Sequence, residues 1–326
     1  MSDVKLVLGT MTFGESVFNP MVEEFINHFL DSDYNELDTA YVYNNGDCEK
    51  LLGKALENIH RPYKIATKIN PRISGKLDGD AAYKQLNESL QRMNLESVDT
   101  VFLHFPDPAT PVDSVLSAMQ DLHEQGKFKN LGLSNFPSWM VADVWHLCDK
   151  HDWVKPTVYE GIYNPLTRTA ERELNAALYH FGMRFYAYNP LAGGLLTGRY
   201  TGFATSPTDG RFVHRPNYQG RYWKKTYFDA VNVIKAAAEH YGITTIEATY
   251  RWMAYHSMLC GNRGDAILIG ASKLEHLKQN MNALKAGPLP LDVVEAFDKA
   301  WQLTKRDSPE YFTLYNGKGS VGGEKN

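Results

Sequence analysis

Four side chains that handle protons stand at or just beyond the ends of short apolar runs. Leu37-Asp38-Thr39-Ala40 is followed by Tyr43, Ala66-Thr67 leads into Lys68, and Phe102-Leu103 leads into His104. Runs of this kind read as buried parallel strands. In a closed (β/α) barrel the strand C-termini converge on one mouth, where the chemistry sits. Asp38, Tyr43, Lys68 and His104 would then share a site although the sequence separates them. An acid, a phenol, an amine and an imidazole together suit proton transfer to a polarised carbonyl, whereas each alone is a weak signal.

The elements that must position them alternate along the chain. Val4–Gly9 opens as a strand, and a helix is expected over Pro20–Asp31, with Asn19 as its cap. Strands follow at Glu36–Asp38, Lys64–Lys68, Val98–His104, Phe128–Ser134, Thr157–Glu160, Arg184–Asn189 and Ala266–Gly270. Helices are expected between them at Asp47–Ile59, Asp80–Leu95, Pro111–Glu124, Pro137–His151 and Ala170–Phe181, with two more from Tyr227 to His256. Leu274–Ala286 and an added C-terminal helix, Leu291–Lys305, complete the pattern. The alternation breaks at Ala192–Lys225, rich in Gly, Arg and aromatics, which reads as a long functional insertion after the seventh strand. Eight strands alternating with helices predict one α/β domain over residues 1–326, a single (β/α)8 TIM barrel. An open doubly wound sheet would offer G-x-G-x-x-G after its first strand, and Gly9-Thr10-Met11-Thr12-Phe13-Gly14 lacks it. The polar, Gly-rich tail over 306–326 is expected to be mobile at its end.

Composition narrows the setting. The chain has 326 residues, 43% of them hydrophobic and 22% charged, with a net charge of −4. That balance offers no basic surface for nucleic acid or anionic lipid. No apolar stretch approaches the ~20 residues of a membrane span, and Met1-Ser2-Asp3-Val4-Lys5 has no signal-peptide character. Cys48, Cys148 and Cys260 are odd in number and widely spaced, which suits free thiols in a cytoplasmic protein and no metal site.

Several phrases occur in the order found in a known family. Asp38-Thr39-Ala40-x-x-Tyr43, Ala66-Thr67-Lys68, Leu103-His104 and Gly132-Leu133-Ser134-Asn135 are followed by the long phrase from Phe185 to Gly198, Phe-Tyr-Ala-Tyr-Asn-Pro-Leu-Ala-Gly-Gly-Leu-Leu-Thr-Gly. From about Gly9 to Phe312 the chain resembles the aldo-keto reductases, and within them the aflatoxin-aldehyde (succinic-semialdehyde) reductase branch. The resemblance implies a (β/α) barrel that reduces a small-molecule carbonyl with NADP(H), bound without a Rossmann motif, in a homodimer.

It also implies roles. Tyr43 becomes the proton donor, with Lys68 expected to lower its pKa, Asp38 to hold Lys68, and neutral His104 to polarise the carbonyl oxygen. Ser134, Asn135 and Glu160 would face the nicotinamide carboxamide, and Tyr188 would stack under the ring. Glu160 stands where the family usually has Gln, and a carboxylate cannot donate to the amide oxygen unless protonated. Asn189, Leu191, Gly193, Gly194, Leu195, Gly198 and Arg199 fall in a segment resembling the pyrophosphate loop, with Arg211 a further phosphate partner. Gly270, Ser272 and Lys273 open a helix whose N-terminus suits the 2′-phosphate, with His276, Gln279 and Asn280 toward the adenine. Met11, Phe13, Tyr41 and Phe105 follow strand ends and could wall an apolar mouth. Tyr218 and Arg221 resemble residues that bind a substrate carboxylate. The branch often ends in Tyr-Phe-Arg; here Tyr311-Phe312-Thr313 replaces it, which should weaken selection for acidic aldehydes.

Two other functions fit the same residues. A barrel lyase could use Lys68 as a Schiff base, which needs a neutral amine. An NADP(H)-holding redox-sensing subunit with little turnover would keep the cofactor and lose the rate.

Overall fold

A computed structural model describes residues 4–200, 202–208 and 210–317. Eight parallel strands close into one barrel in sequence order: β1 (Lys5–Gly9), β2 (Glu36–Asp38), β3 (Lys64–Ile69), β4 (Val98–Leu103), β5 (Phe128–Ser134), β6 (Pro156–Ile162), β7 (Arg184–Tyr188) and β8 (Ala266–Ile269). The helices are α1 (Met21–Leu30), α2 (Asp47–Leu56), α3 (Pro71–Ser74), α4 (Gly79–Met93), α5 (Val112–Glu124), α6 (Ser138–His151), α7 (Leu174–His180), α8 (Arg211–His214), α9 (Pro216–Tyr222), α10 (Lys225–Glu239), α11 (Thr245–Tyr255), α12 (Leu274–Ala283) and α13 (Leu291–Thr304). The predicted (β/α)8 barrel, insertion and added helix are all present.

The helices wrap the barrel because each carries an apolar stripe. In α1, Val22, Phe25, Ile26, Phe29 and Leu30 recur at helical spacing and are all buried. Each such side chain stabilises the fold by about 1.5–3 kcal/mol on burial. Ends are set locally: Asp78 caps α4 by accepting from Ala81 N–H at 3.0 Å, and Thr244 caps α11. Asn94, at φ 54°, ends α4 in the left-handed region.

Inside the barrel the strands present alternate residues. Val7, Phe102, Val158, Tyr186, Ala266 and Leu268 form an apolar plug. Above it, one pleat further along, stand Asp38, Lys68, Ser134, Glu160 and Tyr188. Register fixes this layer: Asp38 pairs with Ala66, Lys68 with Phe102, and Ser134 with Glu160. Gly132 is required below it, since a Cβ there would fall 2.4 Å from the Phe102 ring.

Two expectations change. Asn19 does not cap α1, because Pro20 itself occupies that position with no side-chain hydrogen bond. The helix expected over Ala170–Phe181 splits into a 3-10 turn, Thr169–Glu171, and α7. Glu173, at the break, receives Tyr311 Oη and Ser138 Oγ instead of continuing the helix. The tail is held beside the barrel as far as Tyr315: Thr313 N–H donates to Asn135 O at 3.1 Å and Tyr315 N–H to Pro106 O at 2.9 Å. The N-terminal Met1-Ser2-Asp3 and the tail's end from residue 318, where mobility was expected, lie outside the described residues. Among the described residues no helix is long and apolar enough to cross a membrane, and no cluster of ligating side chains could hold a metal ion.

Candidate active site

The strand-end residues meet. Lys68, 1% exposed, donates from Nζ to Asp38 Oδ1 at 2.5 Å and to Thr39 O at 3.1 Å. Its ammonium stands 5.2 Å from the centre of the Tyr43 ring and 5.6 Å from that of Phe102. Thr67, on the outer face of β3, donates to Glu49 Oε1 at 2.8 Å, and Arg92 closes on Glu49 Oε2 at 2.6 Å. That buried bracket fixes the strand behind Lys68.

Tyr43 opens a 3-10 turn, Tyr43–Gly46, whose Asn44, Asn45 and Gly46 all have left-handed φ. Asn44 ties the turn to the loop after β1 through Phe13 O at 2.7 Å and Met11 O at 3.2 Å. Arg215 then bridges Asn44 Oδ1 and Glu15, both at 3.0 Å.

His104 is neutral. Burial, then Lys68 and Arg72, push its imidazole well below the usual range. Its tautomer follows from Asn70. Asn70 Oδ1 accepts Arg72 N–H at 3.0 Å, so Nδ2 is the group 3.1 Å from His104 Nδ1 and must donate. Nδ1 is therefore the acceptor and Nε2 keeps the proton. Phe105 stacks on the imidazole with centres 4.8 Å apart, and Arg72 covers the Phe105 ring at 4.2 Å.

The electrostatics depart from expectation at one point. Lys68 was expected to lower the Tyr43 pKa, yet burial outweighs the ammonium and leaves the phenol well above its usual value. Asp38 and Glu160 raise it further, because they offset Lys68. Lys68 itself is held protonated: the two carboxyls overcome the burial that opposes its charge. Glu160, 3% exposed, lies 3.4 Å from Lys68 Nζ. Burial first, then Asp38, push its carboxyl up to about 8. Asp38 is also raised, by burial against the pull of Lys68. Among the described residues, Asp38 Oδ2 and Glu160 Oε2 are buried without an ordinary hydrogen-bond partner.

Across β6 from this cluster, Tyr188 Oη donates to Asn135 Oδ1 at 2.7 Å, while Asn135 Nδ2 donates to His104 O at 2.9 Å and Ser134 Oγ at 3.0 Å. Asn135 holds a left-handed φ of 60°. Its side chain thus joins β7 to the His104 strand end, so it organises the mouth as well as lining it.

The loop after β7 continues the site. Asn189 Oδ1 accepts Tyr218 Oη at 3.1 Å, while its buried Nδ2 has no partner among the described residues. Gly193 and Gly194 take φ of 70° and 103°, and a Cβ on Gly193 would meet the Tyr218 ring at 2.7 Å. Leu191 is half-buried and Gly198, at φ 73°, ends the turn. Leu195 is buried in the core, so its side chain cannot line a ligand and only its backbone borders the loop. Arg211 and Arg221 flank Tyr218 at 5.4 and 5.5 Å from the ring centre, and neither makes an ion pair among the described residues. Burial pushes the Tyr218 phenol up, but the two guanidinium groups prevail and lower it. Arg199 is exposed and lies over Tyr200.

At the end of β8, Gly270, Ser272 and Lys273 are exposed, as are His276 and Gln279 on α12, while Asn280 is buried. Lys273 occupies the cap position of α12, and its side chain caps none of the first-turn N–H groups. Thr12 Oγ1 donates to Ala271 O at 2.9 Å, which brings this end beside the loop after β1.

The proposed walls divide. Met11 is half-buried and 3.6 Å from Arg211. Phe13 is fully buried, edge-on to Phe25 of α1, so it belongs to the core and not to the mouth. Tyr41 lies under Arg92 at 4.5 Å and against Gly46, beside the α2–α4 seam. Asn44, Asn70 and Arg215 were not anticipated. Asn70 before Pro71 at a strand end was the available signal, but it reads as an ordinary cap.

Comparison with known proteins agrees with this geometry. Residues 5–302 match the model of the aldo/keto reductase family. The chain is 44% identical over 318 residues to aflatoxin B1 aldehyde reductase member 2 of Rattus norvegicus, covering 94% of this chain and 87% of that one. It is 42% identical over 318 residues to aldo-keto reductase family 7 member A3 of Homo sapiens, covering 94% and 96%. An aldo-keto reductase of Pseudocercospora fijiensis is 38% identical over 286 residues, covering 85% and 96%. With its barrel closed and an acid, phenol, ammonium and imidazole gathered at one mouth, the chain belongs to the aldo/keto reductase family of oxidoreductases.

Proposed function

We propose that this protein reduces aldehydes and ketones to alcohols with NADPH, and that Tyr43 donates the proton. The observation that carries this reading is Lys68, buried between Asp38 and Tyr43 with its charge retained. Bound NADPH would supply the hydride. His104 donates from Nε2 to the carbonyl oxygen, polarising it as charge develops. Tyr43, kept neutral by burial, holds a proton to give to that oxygen, and Lys68 then stabilises the phenolate left behind. Asp38 keeps Lys68 charged and in place. A positioned general acid of this kind contributes roughly 10²–10⁴-fold.

The chain's own residues suit the cofactor. Asn189 Nδ2 is a buried donor without a partner. Gly193 and Gly194 open the backbone of the loop, Arg199 and Arg211 border it, and the uncapped start of α12 with Ser272 and Lys273 suits a phosphate. Ser134, Asn135, Glu160 and Tyr188 frame the nicotinamide end, with Gly270, His276, Gln279 and Asn280 toward the adenine. Met11, Phe105, Tyr218 and Arg221 remain as substrate neighbours, whereas Tyr41 packs under Arg92. The names of the aflatoxin B1 aldehyde reductase relatives support an aldehyde as substrate. The free cysteines and the resemblance support a cytoplasmic homodimer.

A Schiff-base role for Lys68 fits poorly, since an amine beside two carboxyls does not lose its proton. The test is a carbonyl panel followed by NADPH absorbance. Turnover with aldehydes is expected. No turnover, with a tight and slowly released cofactor, would favour the redox-sensing subunit instead.

A further inference from the structure

Glu160 is the ionisable residue that this mouth does not need for proton delivery. It rises from β6, opposite β2 in the barrel, yet its carboxyl lies within hydrogen-bond reach of Asp38 and 3.4 Å from Lys68 Nζ. The mouth therefore holds two buried carboxyls and one ammonium. With both carboxyls ionised it would carry an uncompensated negative charge out of water, which is costly. One proton between Asp38 and Glu160 removes that charge. It also accounts for the two carboxyl oxygens left without ordinary partners.

A hydride donor must come close to this pair. The carbonyl oxygen has to reach Tyr43, beside Lys68, and the hydride must arrive at the adjoining carbon from about 3–3.5 Å. The donor ring then lies within a few ångströms of Glu160. That ring is uncharged when reduced and cationic when oxidised. We propose that Glu160 makes the choice between oxidised and reduced nicotinamide depend on pH: the neutral acid favours the reduced form, and the carboxylate favours the oxidised form.

The groups facing Glu160 permit such a switch. From β2 comes Asp38, from β3 Lys68, from the turn after β2 Tyr43, from the end of β4 His104, and from β7 Tyr186 and Tyr188. β5 contributes only Ser134 and Asn135. Lys68 and the three tyrosines are pushed upward and His104 downward. Asp38 is raised by burial against the pull of Lys68, and Glu160, pushed up to about 8, is the group of this cluster that titrates near there. The sign follows: raising the pH ionises Glu160 and strengthens NADP+ binding relative to NADPH. By reciprocity, NADP+ must expel a proton when it binds near pH 7.

The inference rests on the nicotinamide seat proposed above, and the experiment separates the two. Dissociation constants for NADP+ and NADPH are measured by intrinsic-fluorescence quenching from pH 6 to 9.5, for wild type and Glu160→Gln. Their ratio is used because the phosphates common to both nucleotides cancel. In wild type the ratio Kd(NADP+)/Kd(NADPH) should fall about tenfold across this range, within the 5–150-fold span of typical coupling. In Glu160→Gln, which keeps an amide donor for Asp38, the ratio should be flat. A second measurement needs no variant: NADP+ added to weakly buffered wild type near pH 7 should release protons, and NADPH should release far fewer. A flat wild-type ratio, the same slope in Glu160→Gln, or no difference in proton release would overturn the role of Glu160 while leaving the cofactor site standing. Failure of wild type to bind either nucleotide would overturn both.

Discussion

At the bottom of the barrel the carboxylates are spent on the strands. Asp265, just before β8, accepts Phe185 N–H at 2.7 Å, Cys260 N–H at 2.8 Å and Arg263 twice, at 2.8 and 2.6 Å. Glu36, at the start of β2, accepts Tyr186 Oη at 2.6 Å and pairs with Lys64 at 3.5 Å. At the mouth, one strand length away, Asp38 and Glu160 share a single lysine and each keeps an oxygen without an ordinary partner. The same residue types in the same barrel thus serve two ends differently. The bottom uses charge to lock strands together, and the mouth holds charge in reserve for a ligand.

The sharpest way to break this contrast is to neutralise one carboxylate at each end. Asp265→Ala would strand Arg263 and two backbone N–H groups, and should cost about 3–5 kcal/mol of stability in urea unfolding. Turnover per folded molecule should stay near wild type. Asp38→Asn should do the reverse, with a stability loss below about 1 kcal/mol, since Glu160 can ionise and keep a carboxylate beside Lys68, and a fall in kcat of roughly 10²-fold. Equal stability losses at the two ends would erase the distinction.

A smaller effect is expected at the outer rim. If Lys273 reads the 2′-phosphate, Lys273→Ala should narrow the preference for NADPH over NADH by about 1–3 kcal/mol, the range of hydrogen bonds to charged groups. Equal wild-type affinity for the two cofactors would remove the phosphate from that end.

The smallest concerns the tail. Thr313 is exposed and its N–H is tied to Asn135, so the segment runs beside the mouth. Thr313→Arg should lower KM for an acidic aldehyde about tenfold, or about 1–2 kcal/mol in a partly wet pocket, and leave a neutral aldehyde of similar shape unchanged. An identical shift for both substrates would mean that the new cation does not meet the carboxylate.

The four residues proposed to react were legible in the sequence because a barrel gathers strand C-termini, and each stands at or just beyond the end of an apolar run. The long phrase from Phe185 to Gly198 was legible through its glycines and its family likeness. Other features were not, for physical reasons. Asn70 and Asn44 act by fixing a ring nitrogen and a turn, and neither task imposes a spacing. Phe13 looked like a wall because it follows a strand, but whether it faces the mouth depends on how α1 packs. The Tyr43 pKa was expected to fall because proximity to Lys68 can be read from strand ends, whereas burial cannot. Glu160 was visible as a departure from the family's Gln. Its contact with Asp38 was not visible, because those two strands lie opposite each other and only barrel closure brings the side chains together.

The central claim is that Tyr43 supplies the proton in a carbonyl reduction. Its most direct test is steady-state aldehyde reduction by Tyr43→Phe, with NADPH affinity measured by fluorescence on the same preparation. The variant keeps the ring against Lys68 and loses only the hydroxyl. The account predicts a fall in kcat of roughly 10²-fold or more with an almost unchanged dissociation constant for NADPH. Near-normal turnover in Tyr43→Phe would contradict it.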